Sequence, residues 1–176
     1  MAKPSRMADD GKLFDLARRV GERLLSQGVR IATAESCTGG WLSKCLTDIA
    51  GSSDWVECGF VTYSNEAKMR DLGVAAETLR RHGAVSEATV REMAGGALRV
   101  SGAQVAVSIS GVGAPTGGTP DKAVGTVWFA VAMPQGGSIS ITAHGEHFGG
   151  DRDALRRRSV EYALELILGT ALPLRA

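Results

Sequence analysis

Six consecutive residues, Glu35-Ser36-Cys37-Thr38-Gly39-Gly40, bring a carboxylate, two hydroxyls, a thiol and two glycines together. An apolar run, Val29 to Ala34, leads into them, and Trp41-Leu42-Ser43-Lys44-Cys45-Leu46 follows with helical spacing. A strand, a tight polar turn and a helix start is a common place for chemistry in α/β proteins. Backbone N–H groups at a new helix N-terminus lack intrahelical partners and favour negative charge. Gly39 and Gly40 let a substrate approach the backbone closely. Ser36 is the candidate nucleophile, because the amides that follow it can form an oxyanion hole. The competing reading makes Ser36 only the N-cap of the next helix. Cys37 is intrinsically the better nucleophile. It needs a partner such as histidine, however, and all three histidines lie elsewhere in the chain. A buried structural thiol is the favoured reading of Cys37.

Ser36 has no obvious histidine base either. Lys68, with its pKa lowered by burial, or Tyr63 can serve instead, as in serine–lysine enzymes. The ordinary alternative for Lys68 is a solvated helix lysine. Glu35 either orients a cationic group or caps the turn. Further polar groups fall on the segments 62–68 and 110–120, both at predicted strand ends: Asn65, Ser110, Gly111, Gly113, Gly117 and Gly118. Thr38 belongs to the first turn, and Arg152 opens the last predicted helix within reach of a phosphate. This set suits a small polar anion such as a nucleotide, and acyl transfer. His144-Gly145-Glu146-His147 resembles a metal cluster, but on a strand His144 and Glu146 share one face and His147 takes the other, so no metal site is expected. Gly113 to Thr119 lacks the Gly-Lys-Ser/Thr ending of a phosphate-binding P-loop. Arg156-Arg157-Arg158 reads as a solvated helix face.

These groups need elements to position them. Leu13, Leu16, Val20 and Leu24 recur at helical steps and predict an amphipathic helix from Gly11 to Gln27, capped by Asp9 or Asp10 and ended by Gly28. Strands are expected at 29–34, 55–63 and 104–110. Helices are expected at 41–50, 65–72 (capped by Asn65), 75–81, 86–100 (capped by Ser86) and 151–168 (capped by Asp151). Gly95-Gly96 inside a helix is costly by roughly 1 kcal/mol each and suggests close packing against a neighbour. Two further strands, 124–133 and 138–148, are separated only by Pro134-Gln135-Gly136-Gly137 and form an antiparallel hairpin. The expected fold is a three-layer α/β/α sandwich around a mixed, mostly parallel sheet of about five strands, with that hairpin at its C-terminal end. One domain spans residues 11–170, after a flexible tail at 1–10.

The bulk composition agrees with a globular protein: 176 residues, 44% of them hydrophobic. Net charge is +1, from 20 basic and 19 acidic residues, which gives no electrostatic reason for nucleic acid or an anionic membrane as partner. No apolar run is long enough to span a bilayer. The first residues lack the apolar centre of a signal peptide, so a cytoplasmic protein is expected. Three scattered cysteines without a CxxC pair argue against a disulfide framework and a zinc site.

Six motifs occur in a fixed order: Ala34-Glu35-Ser36-Cys37-Thr38-Gly39-Gly40, Tyr63-Ser64-Asn65-Glu66-Ala67-Lys68, Gly83-Ala84-Val85-Ser86, Ser108-Ile109-Ser110-Gly111, Val124-Gly125-Thr126-Val127 and Gly150-Asp151-Arg152. Together they closely resemble the C-terminal domain of the competence/damage-inducible CinA proteins, which also occurs as a stand-alone protein. The match runs from about Leu13 to Leu168. The resemblance implies nicotinamide-nucleotide amidohydrolase activity: nicotinamide mononucleotide and water give nicotinic acid mononucleotide and ammonia, in pyridine-nucleotide recycling. It implies Ser36 as nucleophile with Tyr63 and Lys68 beside it, and the 110–119 loop and Arg152 as nucleotide contacts. No cofactor is expected, and a homo-oligomer is the common state of such enzymes. The glycine loop departs from the family's Gly-x-Ala-Gly-Pro. Here it is Gly111-Val112-Gly113-Ala114-Pro115, with Lys122-Ala123 in place of Lys-Pro, which moves the position able to take a positive φ. That departure supports the alternative function, a catalytically weak nucleotide-binding regulatory module.

Overall fold

The computed structural model describes residues 6–173. Its elements, in order, are α1 (Arg6–Gln27), β1 (Ile31–Glu35), α2 (Trp41–Thr47), β2 (Val56–Val61), α3 (Asn65–Leu72), α4 (Ala76–His82), α5 (Glu87–Ser101), β3 (Val105–Gly111), β4 (Thr126–Gln135), β5 (Ser138–His147) and α6 (Arg152–Gly169). The strands form one sheet in the order β2-β1-β3-β4-β5. β1 is parallel to β2 and to β3, whereas β3–β4 and β4–β5 are antiparallel. The mixed α/β sheet with helices on both faces agrees with the expectation. Gly136 and Gly137 close the hairpin with φ of 54° and 82°, the positive pair that a two-residue turn needs to match strand twist.

Period-two alternation sorts the strands between two cores. Val105, Val107 and Ile109 of β3 face α1, α2 and α6, packed with Leu16, Leu24, Leu46, Leu155 and Leu164. On the other face Ala32, Ala34, Ala106, Ala130 and Ala132 are all fully buried against α5 and its neighbours. Alanines there let α5 lie close to the sheet, and the hydroxyl of Ser108 donates to the Val90 carbonyl of α5 (2.7 Å). Burial of each large side chain in the first core stabilises by about 1.5–3 kcal/mol. Among the described residues no helix is long and apolar enough to cross a membrane.

Three local expectations need correction. α1 begins at Arg6, so residues 6–10, expected in the tail, are helical; residues 1–5 lie outside the described part. Asp10 therefore does not cap the helix but sits within it, paired with Arg157 of α6. Ser64, not Asn65, caps α3, its hydroxyl accepting from the Ala67 amide (3.1 Å); Asn65 is the first helical residue.

Gly96 explains the costly glycine pair. A Cβ there would stand 1.9 Å from the Leu72 carbonyl oxygen at the end of α3. Gly96→Ala is expected to destabilise by about 2 kcal/mol, the overpacking outweighing a gain in helix propensity of about 1 kcal/mol. A lowered urea midpoint with unchanged slope checks this.

Candidate active site

The chain passes from β1 outward to β2, then returns across β1 to β3, so the sheet's strand order reverses between β1 and β3. Ligands of open α/β sheets bind outside the strand ends at such a point. Ser36 is the first residue beyond β1, and its amide donates to Ile109 O of β3 (3.0 Å). It is not a helix cap: the N-cap of α2 is Gly40, at φ 95°, with no side-chain cap bond.

Lys68 comes to Ser36 from α3. Helical side chains lean toward the helix N-terminus, so Lys68, in the first turn of α3, reaches back over residues 62 and 63. Its Nζ lies 3.0 Å from Ser36 Oγ, 2.7 Å from Thr62 O and 3.3 Å from Tyr63 O. The side chain is fully buried, and no carboxylate pairs with it among the described residues. Burial lowers its pKa from 10.5 to about 8, opposed by the nearby Cys37 thiol. These three oxygens suit both protonation states. The neutral amine can accept from the serine hydroxyl while donating to two carbonyls, and the ammonium can donate to all three.

Cys37 is the opposite case. Its thiol is buried in the α1-α2-α6 core and packs against Gly111, where a Cβ would stand 3.0 Å from Sγ. Burial, with help from the Glu35 carboxylate, pushes its pKa up to about 11. It stays protonated at neutral pH, and the thiolate is the reactive form.

Glu35 and Thr38 do not face the crevice. Glu35 Oε1 accepts from Thr38 Oγ1 (2.6 Å) and the Leu42 amide (2.9 Å). Its Oε2 accepts from the amide and the hydroxyl of Ser43, both at 2.9 Å. A carboxylate of the chain itself thus fills the anion position at the start of α2 that the sequence suggested for a substrate. With four donors on one buried carboxylate, Glu35→Gln turns an NH2 toward two of them. It is expected to cost about 3 kcal/mol, measured by chemical denaturation.

The Tyr63 side chain lies at the mouth of the crevice. It is 61% exposed, and its hydroxyl accepts from Arg152 Nη2 (3.1 Å). No hydrogen bond joins that hydroxyl to Ser36 or Lys68 among the described residues. The backbone rather than the side chain of Tyr63 meets the lysine. Arg152 Nη1 also donates to Ala114 O (3.3 Å), so Tyr63, Arg152 and the 110–119 loop are linked at the mouth of the crevice. Asn65 is exposed in the first turn of α3. Ser110 is buried and its hydroxyl donates to Ala84 O (2.8 Å), tying β3 to the segment before α5. In the altered loop neither Gly113 nor Ala114 has a positive φ; Gly117 does, at 101°. Gly113 lies close under Arg152: a Cβ there would stand 2.6 Å from Nη1, the movable end of that side chain. Gly118 is exposed farther along the loop.

Arg156, read from sequence as solvated, is part of this neighbourhood. Its Nε donates to Cys37 O (3.1 Å) and its Nη2 to Thr38 O (3.0 Å), and its guanidinium lies 5.4 Å from the Trp41 ring centre. The available signal was its spacing: Arg152 and Arg156 are one helical turn apart on one face. Two open clefts flank the serine–lysine pair without including it, one along Gly39, Gly40, Trp41 and Arg156, the other along Gly83–Ser86 and Val112.

The model of the CinA C-terminal domain matches residues 13–171. The chain belongs to the CinA C-terminal domain family. Nicotinamide-nucleotide amidohydrolase PncC of Escherichia coli (strain K12) is 55% identical over 158 residues, 90% of this chain and 94% of the relative. The protein of the same name from Pseudomonas putida is 46% identical over 157 residues, 88% of this chain and 96% of the relative. The crystal structure of competence/damage inducible protein CihA from Agrobacterium tumefaciens superposes with a TM-score of 0.85 at 40% identity, covering 96% of this chain and 97% of that one. In CinA-family terms, the ordered motifs read from sequence meet at one sheet end: the first turn at β1, the lysine motif on α3, the glycine loop after β3 and Arg152 on α6.

Proposed function

We infer that this chain is a hydrolase that deamidates nicotinamide mononucleotide to nicotinic acid mononucleotide and ammonia, with Ser36 as nucleophile and Lys68 as the group that moves the proton. The observation that carries the mechanistic part is the buried Lys68 Nζ 3.0 Å from Ser36 Oγ, with its pKa lowered to about 8. The kind of reaction rests on the amidohydrolase relatives.

Neutral Lys68 takes the Ser36 proton as Oγ bonds to the carboxamide carbon. The carbonyl oxygen becomes an oxyanion, which backbone amides of the 36–40 turn are placed to hold. Those of Cys37 and Thr38 have no acceptor among the described residues. The C–N bond then breaks, and the Lys68 ammonium returns the proton to the departing nitrogen, giving ammonia and an ester on Ser36. Water, deprotonated by Lys68, attacks that ester and restores the serine. The exposed Tyr63, Asn65, Arg152 and the 111–118 glycines face the remainder of the nucleotide, with Arg152 matched to its phosphate. Glu35 and the Thr38 hydroxyl serve the turn's shape rather than the ligand. Three free thiols fit a reducing compartment, and we place the enzyme in the cytoplasm. Self-association into a homo-oligomer belongs to the same proposal, and sedimentation checks it.

Purified protein incubated with nicotinamide mononucleotide, without added metal, should release ammonia and nicotinic acid mononucleotide in equal amounts. Binding of the nucleotide with no release would instead point to the regulatory module.

A further inference from the structure

The first turn keeps its shape through a contact that comes from the far end of the chain. Ser36 opens a turn closed by the Gly39 amide donating to Ser36 O (3.0 Å). Inside it, the carbonyls of Cys37 and Thr38 both point to the Arg156 guanidinium, at 3.1 and 3.0 Å. A trans peptide is planar, with its C=O and N–H directed oppositely. Holding Cys37 O toward α6 therefore turns the Thr38 N–H away from α6. The Thr38 amide lies two residues on from Ser36, the spacing at which a serine hydroxyl and a backbone amide can meet, although among the described residues Ser36 Oγ is bonded to Lys68 rather than to that amide. The Thr38 N–H takes no acceptor within the chain among the described residues. The Arg156 fork is itself held against the Trp41 ring, and Gly39 leaves room for it: a Cβ there would stand 3.3 Å from Arg156 Nη2.

We propose that Arg156 is a positioning residue for the reaction, holding the Cys37–Thr38 peptide so that the Thr38 amide faces Ser36 and receives the oxyanion. This deepens the serine–lysine reading and rests on it. Arg156 touches neither substrate nor Ser36. It acts by keeping a dipole oriented before charge develops, which is where such donors are most effective. The guanidinium suits the task because it spans two carbonyls with a rigid fork, whereas an ammonium can serve only one of them well.

The test is steady-state deamidation of nicotinamide mononucleotide by full-length wild type, Arg156→Ala, Arg156→Lys, Ser36→Ala and Lys68→Ala, with folding followed by circular dichroism. Arg156→Ala should lower kcat by about 10- to 100-fold, less than outright loss of an oxyanion donor, with KM changed by less than about threefold. Arg156→Lys should fall between. Added millimolar guanidinium should restore part of the Arg156→Ala rate and leave Ser36→Ala unmoved, a response that a purely structural role would not give. If Arg156→Ala does not fold, Arg156→Lys carries the decision through its kcat. Wild-type kcat in Arg156→Ala, or a loss confined to KM, overturns the Arg156 proposal provided Ser36→Ala and Lys68→Ala are inactive. Activity surviving in Ser36→Ala overturns the underlying reading instead, and the Arg156 proposal with it.

Discussion

Ser36→Ala is expected to reduce ammonia release from nicotinamide mononucleotide by about 10^4-fold or more, the scale of losing a nucleophile that works as a unit with its base. Nucleotide binding should persist, because Ser36 supplies one small buried hydroxyl to a site whose other contacts come from exposed groups. Cys37→Ala is the matched control. Its thiol is protonated by burial, with a pKa of about 11, and its job is packing against Gly111. The variant should keep its rate within a few-fold and lose about 1–2 kcal/mol of stability to the small cavity. The comparison separates two residues that are adjacent in sequence and lie in opposite environments. Ser36 touches an amine of lowered pKa on the α3 side, whereas Cys37 enters the α1-α2-α6 core. If turnover instead disappeared with Cys37→Ala and survived Ser36→Ala, the thiol would be the nucleophile and the burial argument would fail.

Much of this contrast was legible in the sequence, for local reasons. The apolar run 29–34 marked the strand leading to Ser36, and a polar cap just after the second strand marked the helix bearing Lys68, one residue late. The short turn Pro134-Gln135-Gly136-Gly137 left little choice but a hairpin, and Asp151 and Ser86 cap their helices as their types suggest. What local pattern cannot give is the partner of a side chain across the fold. Glu35 was open between a cationic partner and the turn. The structure decides it through donors three, seven and eight residues later. Tyr63 and Lys68 looked equivalent as bases because both follow β2. Direction separates them: the helical lysine leans back into the core, and the tyrosine, placed before the helix begins, projects outward to Arg152. Arg156 was misread for a similar reason. A run of three arginines has the composition of a solvated face, yet Arg156 and Arg157 lie over the ring of Trp41, at 5.4 and 4.9 Å, more than a hundred residues away. The glycine loop shows the limit of motif comparison. Its Gly113-Ala114 order raised a question of positive φ, but neither residue takes one, and the positive φ of the loop falls at Gly117.

Lys68→Met is expected to lower turnover on the order of 10^3-fold, the middle of the range for losing a general acid–base, and its pH behaviour tests the cause. In the proposed mechanism the reactive form is the neutral amine. kcat/KM should therefore rise with pH up to about 8 and level off above it, a limb that Lys68→Met lacks in its residual rate. Stability supplies an independent reading of the same group. Its folded pKa lies below the unfolded one, so below pH 8 both states hold the proton and the full cost of burying the charge is present. From about 8 to 10.5 the unfolded chain holds a proton that the folded chain does not, and stability rises with pH. Above that range the cost is gone. The total is about 3 kcal/mol for a shift of this size, and about 1 kcal/mol of it should be recovered between pH 7 and 9. Measured against Lys68→Met, which carries no such cost, wild type should gain that amount over the same interval in denaturant midpoints converted to free energy. A difference that stays flat would mean that Lys68 is not a depressed, buried amine. The rate limb at pH 8 would then belong to some other group, whereas a shared midpoint would tie the proton that costs stability to the proton that Ser36 gives up.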